Sequence, residues 1–289
     1  METTLTLEVI TPLFMSGADS RKLELRATSF KGLMRFWWRA MKAENNIFKL
    51  QSEEEAIFGG TQERKLKSPF NIRINAHLDQ NDIEFYRPLP HSLTKRFTLP
   101  SIRTGFSFEI RLSSRQSIEY IENLLKICML LGSFGKRSRR GFGKILWREN
   151  GRIIEFNSST HCLNYLIELF KKLDVTDLKT EEHDNFRKMV RNNILCERFS
   201  YPVIKEIYVG NVSRDWSHIL KKVGESSSFN RDYALGSERP RMASPIWVSL
   251  VRIRNQFAPI ITRFCAIYPL NYPKYNPKKI DEFINYILK

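Results

Sequence analysis

Hydrophobic and polar residues alternate over 4–14, which predicts a first strand that ends at Pro12 and a turn at Ser16-Gly17-Ala18-Asp19. The period then lengthens. Leu33, Phe36, Trp37, Ala40 and Met41 recur at three- and four-residue intervals, so a helix capped by Ser29 is expected over about 30–43 with that stripe buried. A short helix over 51–58 should stop at Gly59-Gly60. Alternation returns at 70–76, briefly at 83–87, and strictly at 104–112 through Phe106, Phe108, Ile110 and Leu112. Ser117 caps the next predicted helix, in which Ile118, Ile121, Leu124, Leu125, Cys128 and Leu131 share one face until Gly132 ends it. Another strand follows at 141–147.

This β-α-β-(β)-β-α-β order is that of a ferredoxin-like or RRM-type domain. A parallel doubly wound sheet would need more helices and near-continuous apolar strands. A polar, turn-rich stretch at 148–160 marks a boundary. Beyond it the pattern predicts a helix at 161–173, an exposed polar stretch at 174–185, a helix at 185–195 and a strand at 203–209. A helix at 214–223, a Ser-, Gly- and Arg-rich loop at 224–244, strands at 246–253 and 260–269 and a helix at 279–288 complete it. Lys278 and Lys279 oppose the dipole of that last helix, so its first turn is expected to fray. The second half is a less regular version of the same class. The expectation is an α+β protein of two tandem ferredoxin-like (RRM-type, βαββαβ) domains, 1–155 and 156–289.

Composition narrows the classes. A chain of 289 residues with 42% hydrophobic content has the material for folded domains. No window approaches the roughly 18 uninterrupted apolar residues of a transmembrane helix. The first residues alternate in place of a basic and then apolar signal peptide. Cys128, Cys162, Cys196 and Cys265 are widely spaced with no CxxC pair, which argues against a thiolate zinc site. A reducing, cytoplasmic setting without disulfides is the expectation. The charge changes the picture most. Lys and Arg total 47 against 31 Asp and Glu, a formal net charge of +16. Such an excess points to a polyanion, either nucleic acid or an anionic membrane. The alternatives are charge-based solubility and acidic partner subunits.

One segment concentrates that charge. Residues 131–143 carry Gly132, Gly135, Gly141 and Gly143 together with Lys136, Arg137, Arg139 and Arg140, between a helix and a strand. Glycines allow close backbone approach, and backbone N–H groups in such turns cradle phosphate oxygens. Phe134 and Phe142 can stack on bases or anchor the loop. It is neither a P-loop nor a dinucleotide fingerprint, because the GxxxxGK[ST] order is missing and the glycines follow a helix. Lys31, Arg35 and Arg39 form a second basic stripe, spaced by four on the first helix, while Trp37 and Trp38 read as core anchors. Arg239 and Arg241 are a weaker basic pair. Catalytic signals are thin. The five histidines are scattered, and neither HExxH, GxSxG nor a paired-acid motif occurs. A metal-free ribonuclease needs only a general base and acid, and nothing here selects such a pair. No cofactor or metal is expected.

The segments Ile10-Thr11-Pro12-Leu13-Phe14-Met15-Ser16-Gly17 and Phe30-Lys31-Gly32-Leu33-Met34-Arg35-Phe36-Trp37-Trp38-Arg39-Ala40 resemble the opening of the RAMP proteins of CRISPR effector complexes. More narrowly, the second is similar to the Cmr1-type subunit of the type III-B (Cmr) complex. The glycine-rich loop matches that family's, and Arg239-Pro240-Arg241-Met242-Ala243-Ser244-Pro245 is similar to a later family segment. The resemblance is strong over about 5–150 and patchy beyond. It implies two ferredoxin-like domains packed together, in an RNA-binding subunit near one end of a multi-subunit complex. That subunit would contact guide RNA, possibly target single-stranded RNA, and neighbouring RAMP subunits. Gly132, Gly135, Gly141 and Gly143 would then shape the loop, and Lys136, Arg137, Arg139 and Arg140 would meet phosphates. Lys31, Arg35 and Arg39 would flank them across the cleft, with Arg239 and Arg241 added. Target cleavage belongs to other subunits in this family. Related RAMPs that process guide RNA are nucleases, but this chain has no matching histidine constellation, so a non-catalytic subunit is expected. The rival readings are a metal-independent ribonuclease, a purely structural docking subunit and, least well matched, a membrane-surface protein.

Overall fold

The computed structural model describes residues 1–19, 22–60, 66–92, 94–192 and 194–289. Its first half contains β1 (Glu2–Val9), α1 (Ala27–Lys42), α2 (Ile47–Phe58), β2 (Phe70–Asn75), β3 (Ile83–Tyr86), β4 (Leu99–Ile102), β5 (Ser107–Ser114), α3 (Ile118–Leu131), β6 (Ile145–Glu149) and β7 (Arg152–Ile153). Strands β2-β5-β1-β6-β7 lie side by side in one sheet, while β3 and β4 form a separate ribbon. The central pairings are all antiparallel, with Leu7 opposite both Phe108 and Trp147. This is the ferredoxin-like sheet that the alternation predicts. β1 and β5 are central because each follows or precedes a helix that crosses the same face.

The second half contains α4 (Ser159–Lys171), β8 (Leu178–His183), β9 (Phe186–Arg191), β10 (Ile204–Val209), α5 (Trp216–Phe229), β11 (Ser237–Glu238), β12 (Arg241–Met242), β13 (Ile246–Ile253), β14 (Gln256–Phe264) and α6 (Lys278–Leu288). Its sheet runs β13-β14-β10-β9-β8. The β10-α5-β13-β14-α6 order matches the first half. The place of the fourth strand, beside β10, is filled by β9 from upstream. The predicted helix over 185–195 is therefore a strand, and residue 193 lies outside the described residues. Asp184 and Asn185 make a two-residue turn, and β8 and β9 pair in register from His183–Phe186 to Leu178–Arg191. Sheet pairing here overrides the apparent helical spacing. Arg254 and Asn255, both at positive φ, turn the β13–β14 hairpin, which begins that last strand earlier than expected.

The two sheets share α3. On one side its core residues meet Ile110, Leu112 and Ile145, and on the other Trp247, Val251, Ala258 and Ile260. Alternate β13 residues Ile246, Val248 and Leu250 face a second core with Ile219, Leu220, Val223, Phe283 and Ile287 of α5 and α6. The layers are thus sheet, helices, sheet, helices. α3 is buried on both faces, which explains its nearly continuous apolar run from Leu124 to Leu131.

An α-helix ends with carbonyls that have no intrahelical partner. In α3 they lie deep inside. Gly132 N donates to Cys128 O at 2.9 Å, and the Lys144 ammonium donates to Met129 O, to Leu130 O at 2.9 Å and to Ser249 Oγ of β13 at 3.1 Å. Ser249 Oγ in turn donates to Gly132 O at 2.8 Å. Lys144 is fully buried, and that burial holds its pKa well below the ordinary lysine value.

Two further expectations change. Helix α1 starts at Ala27 with Arg26 as its N-cap, so Ser29 lies in the first turn and caps nothing. Cys196 and Cys265 form a disulfide across a sequence separation of 69 residues, in place of four free thiols. Sheet pairing brings them together, because Cys265 N donates to Val203 O at 2.8 Å at the start of β10. Cys128 and Cys162 are free and buried.

The lowered pKa of Lys144 has a stability sign. Between the folded-state pKa and the unfolded value the unfolded chain binds more protons, so stability rises with pH in that window. Urea unfolding of wild type and Lys144→Met at about pH 8 and about pH 10 should show wild type gaining on the variant as pH rises. An unchanged gap would mean that Lys144 keeps an ordinary pKa.

Candidate nucleic-acid interface

The glycine-rich loop is pinned along both edges. On one edge Lys136 N donates to Phe14 O at 2.8 Å, Gly143 N to Pro12 O at 3.0 Å, and Thr11 Oγ1 to Gly141 O at 2.8 Å. On the other, Val248 N of β13 donates to Arg139 O at 3.1 Å, and Arg140 bridges Val248 in parallel. Gly135 and Gly143 have φ of +77° and +68°. A Cβ would lie 2.4 Å from Phe14 O at the first and 1.9 Å from Phe134 O at the second, so no other residue fits. Gly132 closes α3, and Gly141 offers its carbonyl to Thr11. Phe134 and Phe142 are buried against Phe30 and Phe14, so they anchor the loop and are closed to bases.

This anchoring aims the cations. Lys136 and Arg137 are exposed, with no ion pair or side-chain hydrogen bond among the described residues. The Arg139 guanidinium donates to Ser244 O and lies over the rings of Trp247, Phe36 and Phe264 at 4.9, 5.3 and 5.9 Å. Arg140 lies 5.2 Å over Phe283 and reaches Ser244 Oγ at 3.5 Å. Neither meets a carboxylate among the described residues. Burial lowers both guanidinium pKa values to about 10, and for Arg140 the charges of Arg137 and Arg139 add to the fall. Both remain cations at neutral pH.

Arg139 and Arg140 form one wall of a groove of about 950 Å³. The opposite wall comes from the second half, with Arg231, Tyr233 and Arg239. Asp232 and Glu238 also line it, and Asp232 Oδ1 accepts from the backbone N–H groups of Ala234 and Asn276 at 2.7 and 3.0 Å. Arg231 and Arg239 make no ion pair among the described residues. Arg241 sits opposite Glu238 in the β11–β12 ribbon at the rim. The loop and the 239–241 segment, a hundred residues apart in sequence, are thus brought together. Arg231 and Tyr233 were not singled out by the sequence, because nothing local joins them to residues 139–140.

The α1 stripe is not part of this groove. Its three cations face α2 and β2. Glu54, 8% exposed, ion-pairs with Arg35, whose Nε lies 2.9 Å from it, and accepts from Arg39 Nη1 at 3.1 Å. Arg35 also donates to Gly59 O at 2.9 Å, and Lys31 lies 4.8 Å over the Phe70 ring, its pKa lowered by burial and then by Arg35. The structure places Lys31, Arg35 and Arg39 away from the groove they were expected to flank: Arg35 and Arg39 fasten α2 to α1, and Lys31 covers Phe70 of β2. Spacing by four puts them on one face, and that face meets Glu54. Trp37 and Trp38 are core residues as expected. Among the described residues, no group of three or more His, Cys, Asp or Glu side chains is placed to hold a metal, and no helix is long and apolar enough to cross a membrane.

The RAMP superfamily model matches residues 6–145, the half that contains the loop. The CRISPR system Cmr subunit Cmr1-2 of Pyrococcus furiosus is 33% identical over 170 residues, 48% of this chain and 91% of that protein. Cmr1-1 of the same organism is 30% identical over 177 residues, 53% of this chain and 51% of that protein. The crystal structure of apo Cmr1 from Pyrococcus furiosus superposes with a TM-score of 0.64 at 21% identity, covering 100% of this chain and 97% of that one. A chain in the cryo-EM structure of a type III-B Cmr-beta complex bound to cognate target RNA gives a TM-score of 0.55 at 10% identity, covering 98% and 99%. Fold and sequence therefore define a RAMP protein with two ferredoxin-like sheets. Within that superfamily, the chain belongs to the Cmr1 family.

The corrected role of the stripe is testable. Replacing Arg35 and Arg39 together with Ala leaves Glu54 buried without a cation, and urea unfolding should show a loss of about 2 kcal/mol. Adding Glu54→Gln should restore most of it, because the stranded charge is then gone.

Proposed function

We propose that this chain is a non-catalytic RNA-binding subunit of a type III-B CRISPR effector complex. It would hold the guide or target RNA backbone in the arginine groove and dock on neighbouring RAMP subunits. The observation that carries the reading is the set of Arg139, Arg140, Arg231 and Arg239 in one groove, without ion-pair partners among the described residues. The buried Arg191 is matched by Asp177 at 2.6 Å, and the half-buried Arg263 by Glu206 and Asp281 at 3.2 and 2.7 Å. Arg139 and Arg140, desolvated and without carboxylates, form with the exposed Arg231 and Arg239 a prepared anion site, and phosphate fits their fork geometry. The Cmr1 relatives, and the RNA named in the Cmr-beta structure, support RNA as the anion. Phosphate contacts carry no base information, so binding is largely independent of sequence. On this reading residues 1–155 and 156–289 act as two domains, and the groove is the seam between them.

A salt series of fluorescence anisotropy with a labelled single-stranded RNA of guide length tests it. If about six cations meet phosphates, log K falls with log salt at a slope near −4. Replacing Arg231 and Arg239 with Ala should flatten that slope by about 1.4. The RNA should stay intact on a denaturing gel. A flat slope in wild type would overturn the groove assignment, and cut RNA would move the protein to the nuclease class.

A further inference from the structure

The groove has an aromatic wall as well as a cationic one. Tyr233 lines it beside Arg139, Arg140, Arg231 and Arg239, and its side chain is 39% exposed. It is the placement of that ring among the guanidinium groups, not its exposure, that matters. Its position is fixed from behind. The Tyr272 ring meets it edge-on at 5.8 Å with an 84° angle between planes, and Tyr272 Oη donates to Tyr233 O at 3.1 Å. Tyr272 is itself packed on Tyr268 at 5.4 Å, and Tyr268 stacks on Tyr275 at 3.9 Å. Tyr268 Oη donates to Ala234 O at 2.9 Å, and Asp232 caps the turn that carries Tyr233. The backbone that carries the ring is therefore held by a tyrosine cluster from the 268–275 segment, and Tyr272 packs on the ring itself.

We infer that Tyr233 is a stacking platform for a nucleobase of single-stranded RNA whose phosphates lie on the groove arginines. The inference rests on the phosphate-binding reading above and adds the strand class to it. Two chemistries meet in one groove: guanidinium groups for the backbone and a fixed π-face for a base. In a duplex the bases are already stacked on each other and present only their edges, so a duplex gains the arginines but not the ring. Every base has a π-face, so the platform tolerates any sequence. Two carboxylates, Asp232 and Glu238, also line the groove, and Oδ1 of the first accepts from two backbone N–H groups.

The test separates the ring from the arginines. Anisotropy is measured for wild type with a single-stranded RNA, with a strand of the same length carrying abasic riboses, and with the matching RNA duplex. The same probes are used on Tyr233→Ala and Tyr233→Phe. Wild type should bind the abasic strand and the duplex at least about ten-fold more weakly than the intact single strand. Tyr233→Ala should lose about ten-fold for the intact strand, keep the wild-type salt slope and no longer distinguish the abasic strand. Tyr233→Phe should behave as wild type. The abasic comparison needs no variant, so it stands even if Tyr233→Ala folds poorly. Salt-sensitive binding by wild type with equal affinity for intact and abasic strands would overturn the stacking role and leave the phosphate reading intact. Equal affinity for duplex and single strand would do the same. An absence of salt-sensitive binding to any of the probes would overturn both.

Discussion

The buried end of α3 is the constraint on which the rest of the molecule depends. A helix packed between two sheets has no water at its C-terminus, and each carbonyl left bare there would cost about 1–3 kcal/mol. Lys144 and Ser249 answer that demand from opposite halves of the chain, one just after the glycine-rich loop and one in the middle of β13. Both sheets are thereby tied to one helix end. Because Lys144 must turn inward, the chain between Gly132 and Lys144 has to double back tightly over that end. The positive φ at Gly135 and Gly143 and their contacts with Phe134 and Phe14 are the geometry of that return. The loop is the lid of the buried helix terminus, and its outer side is free to carry charge.

That arrangement sorts the cations into two populations. One is used up internally: Arg35 and Arg39 on Glu54, Arg191 on Asp177, Arg263 on Glu206 and Asp281, and Lys144 on carbonyls. The other, Arg139, Arg140, Arg231 and Arg239, has no carboxylate partner among the described residues and collects in one groove lined from both halves. A net charge of +16 does not say where the charge acts. The pairing pattern does, because an unpaired guanidinium stacked on rings and partly stripped of water keeps its need for an anion.

The sequence was most legible where one face of an element is wet and the other dry. The alternation of β5 and the stripe of α1 follow directly from that asymmetry, and so did the ferredoxin-like order of the first half. It was least legible where structure comes from distant pairing. Residues 186–191 carry Arg187, Lys188 and Arg191 among apolar positions, a spacing compatible with a helix until β8 and β10 pair on either side. The basic stripe of α1 was visible as a pattern, but its meaning depended on Glu54, whose approach across α2 no local rule foretells. The loop was recognised from its glycines and cations. Its partners Arg231 and Tyr233 were not, because a groove assembled from residues 139 and 231 has no sequence period.

The same logic explains why such a groove is rigid. Its residues come from both halves of the chain, yet they are bonded to each other and to β13: Val248 N donates to Arg139 O, Ile246 N to Ser244 Oγ, and Ser244 receives Arg139 and Arg140. Arg139 and Arg140 are therefore positioned by the contact that joins the halves, before any ligand arrives. A flexible basic tail of the same charge would lose rotamer freedom on binding, about 0.5–1.5 kcal/mol for each side chain immobilised. Here that cost falls on folding, where the burial of Trp247, Phe36 and Phe264 under Arg139 offsets it. The joint between the two ferredoxin-like sheets and the anion groove are one structure, and a change that loosens Ser249 or Lys144 reaches the groove through the loop.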